Sequence, residues 1–191
     1  MTLPIWHPPS RTLPSDKYRG EPTKDGIHMA VGSALSEWEH LETFLAQIFG
    51  HLAESHSIAP QRAYGTILSA QGRRAALDAA TEEFFRSRPH NPIQSELENL
   101  FEQYAKASTY RANIAHGICY SYNFLDPKNP HNWGWFLCPP VYSTRKTGLD
   151  FFSSTYFYKI NDISHCEKRF DTLRNEAIRL SNTIATTYPL P

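Results

Sequence analysis

Apolar residues that recur at intervals of three and four run through most of this chain, and they leave few alternatives to long amphipathic helices. Leu35, Trp38, Leu41, Leu45, Ile48, Phe49 and Leu52 mark one face of a segment from about Asp25 or Gly26 to Ser55. Glu37, Glu39 and Glu42 fall off that stripe. Pro60 stands where a first-turn proline belongs, so a second helix is expected to continue to about Arg86. Tyr64, Ile67, Leu68, Ala75, Leu77, Ala80 and Phe84 give it a face, while Gly65 and Gly72 predict a bend or a close helix contact. The turn Ser87-Arg-Pro-His-Asn-Pro92 introduces a third helix that closes at Gly117, a residue suited to the C′ position. A last helix is expected from about Asp162 to Thr187, burying Ile163, Cys166, Phe170, Leu173, Ala177, Leu180 and Ile184.

Between the third and the last helix the pattern changes. Ile118 to Phe124 and Trp133 to Leu137 read as strands around an Asp-Pro-Lys-Asn-Pro-His loop. Phe151 to Ile160 reads as a third strand, after a Pro139-Pro140 break and a turn from Thr144 to Gly148. The first 25 residues carry five of the 14 prolines and little periodicity, so they read as an extended arm laid across the domain through Ile5 and Trp6, or disordered. The expectation is a mainly α protein, a four-helix bundle with a small antiparallel β excursion before the last helix. Its parts are an arm over 1–25, one helical domain over 26–187 with a β-rich insertion at 118–160, and a tail over 188–191.

Nineteen basic residues balance nineteen acidic ones, which disfavours diffuse binding to nucleic acid. A local patch of Arg62, Arg73, Arg74, Arg86 and Arg88 remains, set against the plainer reading of a solvated helix face. Cys119, Cys138 and Cys166 form neither a disulfide framework nor a zinc pattern, and buried free thiols in a reducing compartment suit them best. In the expected hairpin, Cys119 and Cys138 are candidate cross-strand neighbours. No apolar run approaches a membrane span and the first residues lack a signal-peptide core, so a cytoplasmic setting is expected. Glu37-x-x-His40 has no matching second motif for a di-metal site, and Asp162-x-x-His165 reads as a helix cap beside an exposed histidine. His51 and His56 read as surface residues, and His131 as a loop histidine. No phosphate loop, dinucleotide fingerprint or serine nucleophile elbow is present.

The chemistry-bearing stretch is Tyr110-Arg-Ala-Asn-Ile-Ala-His-Gly117. With Ile93 set at zero and about 100° per residue, Leu97, Leu100 and Tyr104 stay within roughly 40°. Phe101 and Ala107 border them, and Arg111 returns to the middle of the apolar stripe. A guanidinium there must reach past the helix end, find an acceptor or face a cleft. His116 lies roughly 140° further round, in the last turn, where the helix dipole favours protonated imidazole. A fixed cation beside an imidazole that titrates near neutrality suits the cutting of a phosphodiester. The plain alternative is a capping histidine and an arginine in a buried ion pair.

Arg-Ala-Asn-Ile-Ala-His-Gly at a helix end, with two long helices before it and one after, resembles the signature of the HEPN superfamily (higher eukaryotes and prokaryotes nucleotide-binding). The family motif is an arginine, four to six intervening residues and a histidine, often followed by glycine. The resemblance spans about residues 26 to 187 and is sharp only in the motif. It implies a metal-independent endoribonuclease without cofactor, of the toxin or defence-effector kind. His116 would be its general base, and Arg111 would hold the scissile phosphate in a cleft between two copies joined through the motif helix. It further implies RNA as substrate and a protein antitoxin or inhibitor as a second partner. Asn113, Arg73, Arg74 and Tyr120 are the candidate substrate-binding residues, with Tyr110 and Tyr122 also near enough in sequence to stack bases. Their other readings are exposed ion pairs for the arginines and packing at the junction for the tyrosines. Ala112 departs from the family, which often has a polar residue there, and so a non-catalytic module that binds nucleotide, RNA or protein is the alternative.

Overall fold

A computed structural model describes residues 12–88, 91–126, 129–143 and 153–189. Among them are α1 (Lys24–Leu52), α2 (Ala59–Gly65), α3 (Ala70–Phe85), α4 (Pro92–Ala115), β1 (Ile118–Asp126), β2 (Asn129–Cys138) and α5 (Ile160–Thr187). The protein is mainly helical, with one two-stranded antiparallel sheet. No helix among the described residues is long and apolar enough to cross a membrane. Contacts gather into two compact units, and α1, α4 and α5 each contribute a segment to both.

The first unit comprises the described residues of Glu37–Thr109 and Arg169–Pro191. The expected periodicities hold here: Trp38, Leu41, Leu45, Ile48, Leu97, Leu100, Phe101, Phe170, Leu173 and Leu180 are all buried. Trp38 stacks on Tyr104 and meets Phe170 edge-on, each with ring centroids 5.2 Å apart.

The single helix expected from Pro60 to Arg86 is two helices. Thr66 and Ile67 close α2 through backbone bonds to Ala63 O and Tyr64 O, and Ser69 caps α3 by accepting from Gly72 N at 3.0 Å. Gly72 is needed for proximity, since a Cβ there would stand 2.8 Å from Ile67 Cγ2. The break resets the helical phase, which is why Leu68 is 97% exposed and Ala75 is also exposed, against expectation. Glu42 also departs from its expected place: it is buried, and what holds it there is described below.

The second unit comprises the described residues of His7–Ser36 and Tyr110–Lys168. Its hairpin runs in register from Ile118↔Cys138 to Asp126↔Asn129, with a shift after Tyr122 that makes Trp133 the extra residue of a bulge. β1 and β2 extend into the expected Asp-Pro-Lys-Asn-Pro-His loop, of which residues 127 and 128 lie outside the described residues. Cys119 pairs with Leu137 while Cys138 pairs with Ile118, so the two thiols point to opposite faces of the hairpin and are not cross-strand neighbours. Tyr122, Phe136, Cys138 and Phe157 form the core, with Tyr18 and Trp133 packed against it.

The expected third strand is absent from the described part of 151–160. Isolated bridges at Ser154 and Tyr158, the latter to Leu137, take its place, and Ile160 already opens α5. The turn expected over Thr144–Gly148 and the contact of Ile5 and Trp6 lie outside the described residues.

From residue 12 to 23 the arm is an ordered strap. Gly20 N donates to Trp133 O at 2.5 Å, and Glu21 and Trp135 exchange two backbone bonds of 2.9 Å. This approach tolerates no side chain at two points. A Cβ on Gly20 would sit 2.3 Å from Trp135 O, and Gly134, at φ +87°, faces Glu21 O at 2.8 Å. The strap also starts α5: Glu21 Oε1 accepts from Ile160 N at 3.1 Å, and Asp162 Oδ2 accepts from Lys159 N at 2.9 Å. The Tyr18 hydroxyl lies 3.2 Å from both Asp162 Oδ2 and Phe157 O.

Candidate functional site

The last two turns of α4 carry Arg111, Asn113 and, just past Ala115, His116. The helix runs out through His116 N, which donates to Ala112 O at 3.1 Å, and β1 begins two residues later. Gly117 does not take the left-handed conformation expected of a C′ glycine: among the described residues positive φ angles fall at Glu54 and Gly134. It is required for close approach: a Cβ would lie 2.7 Å from Leu137 Cγ and 2.9 Å from Asn113 O. A direct turn from helix into strand therefore replaces a Schellman-type end.

On this frame Arg111 is half-buried, with its Nε atom fully so, one turn before the buried Ile114. His116 is exposed. Asn113 faces inward: its Nδ2 donates to Tyr158 OH at 2.9 Å and its carbonyl accepts from Tyr156 OH at 2.9 Å. Asn113 Oδ1 is buried and makes no hydrogen bond among the described residues. Tyr120 is 38% exposed on β1 and meets Tyr122 edge-on at 5.3 Å. Burial raises the pKa of Tyr158 well above the ordinary phenol value, against the opposing Asn113 hydrogen bond. Burial likewise raises the Cys119 thiol, partly offset by Lys24.

Arg111, Asn113, His116 and Tyr120 thus belong to the second unit, and Arg73 and Arg74 to the first. Arg73 is engaged where it stands. Its Nη1 meets Glu42 Oε1 at 2.9 Å, its Nε donates to Ile67 O at 2.8 Å, and its guanidinium lies over the Tyr64 ring at 5.6 Å. Arg74 pairs with Asp78 at 3.3 Å, Arg86 with Glu83 at 2.6 Å and Arg88 with Glu54 at 2.7 Å. Four of the five arginines in the sequence cluster therefore stand beside carboxylates, and the patch is locally neutralised. Glu37 pairs with Arg174 at 2.5 Å, its contact to His40 being longer at 3.8 Å; His165 is exposed, and Asp162 is not the N-cap but a first-turn residue of α5 that bonds back to Lys159 N.

Sequence reasoning missed two constellations. Glu42 accepts from Tyr104 OH at 2.9 Å and Tyr64 OH at 3.2 Å besides its pairing with Arg73, joining α1, α2, α3 and α4 in a buried polar knot. Burial, and then the Glu42 carboxylate, raise both phenols far above their ordinary range. The other is the Tyr156–Tyr158 pair against Asn113. Its spacing of two was the available signal, since alternate residues of an extended segment share a face.

No family model matches this chain, and comparison with curated proteins and with solved structures finds no match.

Proposed function

We propose that this protein is a metal-independent endoribonuclease of the HEPN type, a four-helix bundle acting as a homodimer through α4. The observation that carries the reading is one helix end on which a half-buried guanidinium is followed, five residues on, by an exposed imidazole. That arrangement suits general base catalysis beside electrostatic stabilisation of a phosphorane. His116 takes the proton of a ribose 2′-hydroxyl, and O2′ attacks the adjacent phosphorus. Arg111 binds the non-bridging oxygens as charge builds, and the P–O5′ bond breaks. O5′ gains a proton from solvent or from a second imidazole, leaving a 2′,3′-cyclic phosphate and a 5′-hydroxyl. Two copies meeting through α4 would place two Arg-His pairs in one groove. Tyr120, partly exposed on the strand that follows, suits stacking on a base. A role as toxin or defence effector, with a protein inhibitor as partner, fits such an activity.

The test is cleavage of mixed RNA by purified protein in EDTA, with product ends analysed for cyclic phosphate. His116→Ala is expected to lower the rate by about 10²–10⁴-fold. Ala112 supports the second reading, a binding module, because it offers His116 no polar neighbour one turn before it. RNA retention without cleavage, lost in Arg111→Ala, would favour that reading. Neither cleavage nor binding would end both.

A further inference from the structure

The end of α4 is gripped by two tyrosines that the proposed chemistry does not use. Tyr156 OH donates to the carbonyl of Asn113 and Asn113 Nδ2 donates to Tyr158 OH, each at 2.9 Å. Both tyrosines are buried, with ring centroids 4.6 Å apart. Tyr158 is itself pinned, exchanging backbone hydrogen bonds of 2.8 and 2.9 Å with Leu137. The Leu137 side chain in turn fills the space beside Gly117 that a Cβ would need. The residue three before His116 and the residue directly after it are therefore held by one patch of framework.

The physical need is plain. The last carbonyls of an α-helix have no intrahelical donor, and the Asn113 carbonyl is one of these. A buried phenol supplies that donor, so the final turn does not fray. His116 is exposed, and the direction of its imidazole follows from the backbone of this turn. We infer that Tyr156 and Tyr158 are positioning residues for the Arg111–His116 site, acting through Asn113 to fix the last turn of α4. The inference rests on the nuclease reading for its catalytic consequence, and on geometry alone for its structural one.

Tyr156→Phe and Tyr158→Phe each remove one hydroxyl and keep the ring. The experiment measures amide hydrogen exchange at His116 together with kcat and KM for RNA cleavage in both variants. Loss of one buried hydrogen bond is expected to speed exchange at His116 about tenfold, with the amides of α1 unchanged. The same variants are expected to lower kcat about tenfold while KM stays within about twofold, since a misplaced general base costs the chemical step. Asn113→Ala should reproduce the Tyr158→Phe effect, and the two together should add little. Unchanged exchange at His116 in both variants overturns the inference. So does faster exchange with unaltered kcat, and so does a rise in KM alone, which would mean that the tyrosines touch RNA. If the wild-type protein cleaves no RNA, the nuclease reading falls by itself, and exchange at His116 still decides whether the tyrosines hold the helix end.

Discussion

Replacing Glu42 by leucine tests the polar knot of the first unit. The carboxylate side chain is 8% exposed and serves three donors: Tyr104 OH, Tyr64 OH and Arg73 Nη1. Leucine fills much of the same volume but offers no acceptor. Two buried hydroxyls lose their partner, at about 1–3 kcal/mol each. Arg73 keeps Ile67 O and some access to solvent, with its side chain 22% exposed, so its share is about 0–1 kcal/mol. The sum is a loss of about 2–7 kcal/mol, a large part of the stability of an ordinary domain. Urea unfolding followed by tryptophan fluorescence reads it directly, since Trp38 stacks on Tyr104. Glu42→Gln keeps an acceptor and should lose only about 1–2 kcal/mol. Adding Tyr64→Phe and Tyr104→Phe to Glu42→Leu should recover most of the loss, because an all-apolar site leaves no hydroxyl stranded. A leucine variant within about 0.5 kcal/mol of wild type would refute the reasoning, since that is the range of an ordinary surface change.

Three further perturbations have signs set by the structure. Gly32 lies on an open face of α1 with nothing near its Cβ position, so Gly32→Ala should raise stability by about 0.5–1 kcal/mol. Gly20→Ala should lower it by about 1–3 kcal/mol through collision with Trp135 O, both read from urea midpoints. Burial lowers the pKa of half-buried His51 from 6.5, so the unfolded chain takes up a proton more readily than the folded one. His51 therefore adds full stability above about pH 6.5, and that contribution is lost as pH falls toward the folded value. Unfolding at pH 7.5 and 5.5 should show a shallower decline in His51→Gln, and an equal decline would contradict the burial argument.

The helices were legible because burial on one face writes a period into the sequence. The stripes of α4 and α5 are buried nearly residue for residue, from Leu97 to Ala107 and from Ile163 to Ile184. The α2–α3 break was not, because Ser69 and Gly72 act through a cap and a close contact while Tyr64, Leu77 and Phe84 still look periodic. Glu42 escaped notice for a related reason. A carboxylate reads as solvent-facing until the hydroxyls that satisfy it arrive from residues 22 and 62 positions away. The third strand was expected from β-prone aromatics, yet Tyr156, Phe157 and Tyr158 are spent on packing and on Asn113, with one bridge to β2. At the candidate site, the helix-end placement of Arg111 and His116 was legible from helical phase. The inward commitment of Asn113 depends on Tyr158, 45 residues later, and no local pattern announces it.

The strap from Ser15 to Glu21 has a bearing on how the molecule is made. It leaves the ribosome more than a hundred residues before Trp135, with which it exchanges hydrogen bonds, and before Ile160, whose amide it caps. The Glu21–Ile160 contact spans 139 residues, and loop closure of that size is slow. During synthesis the strap must wait for the hairpin edge and the first turn of α5, which emerge long after it. This unit therefore stays open until the start of α5 has emerged, and is open to capture by chaperones before it closes.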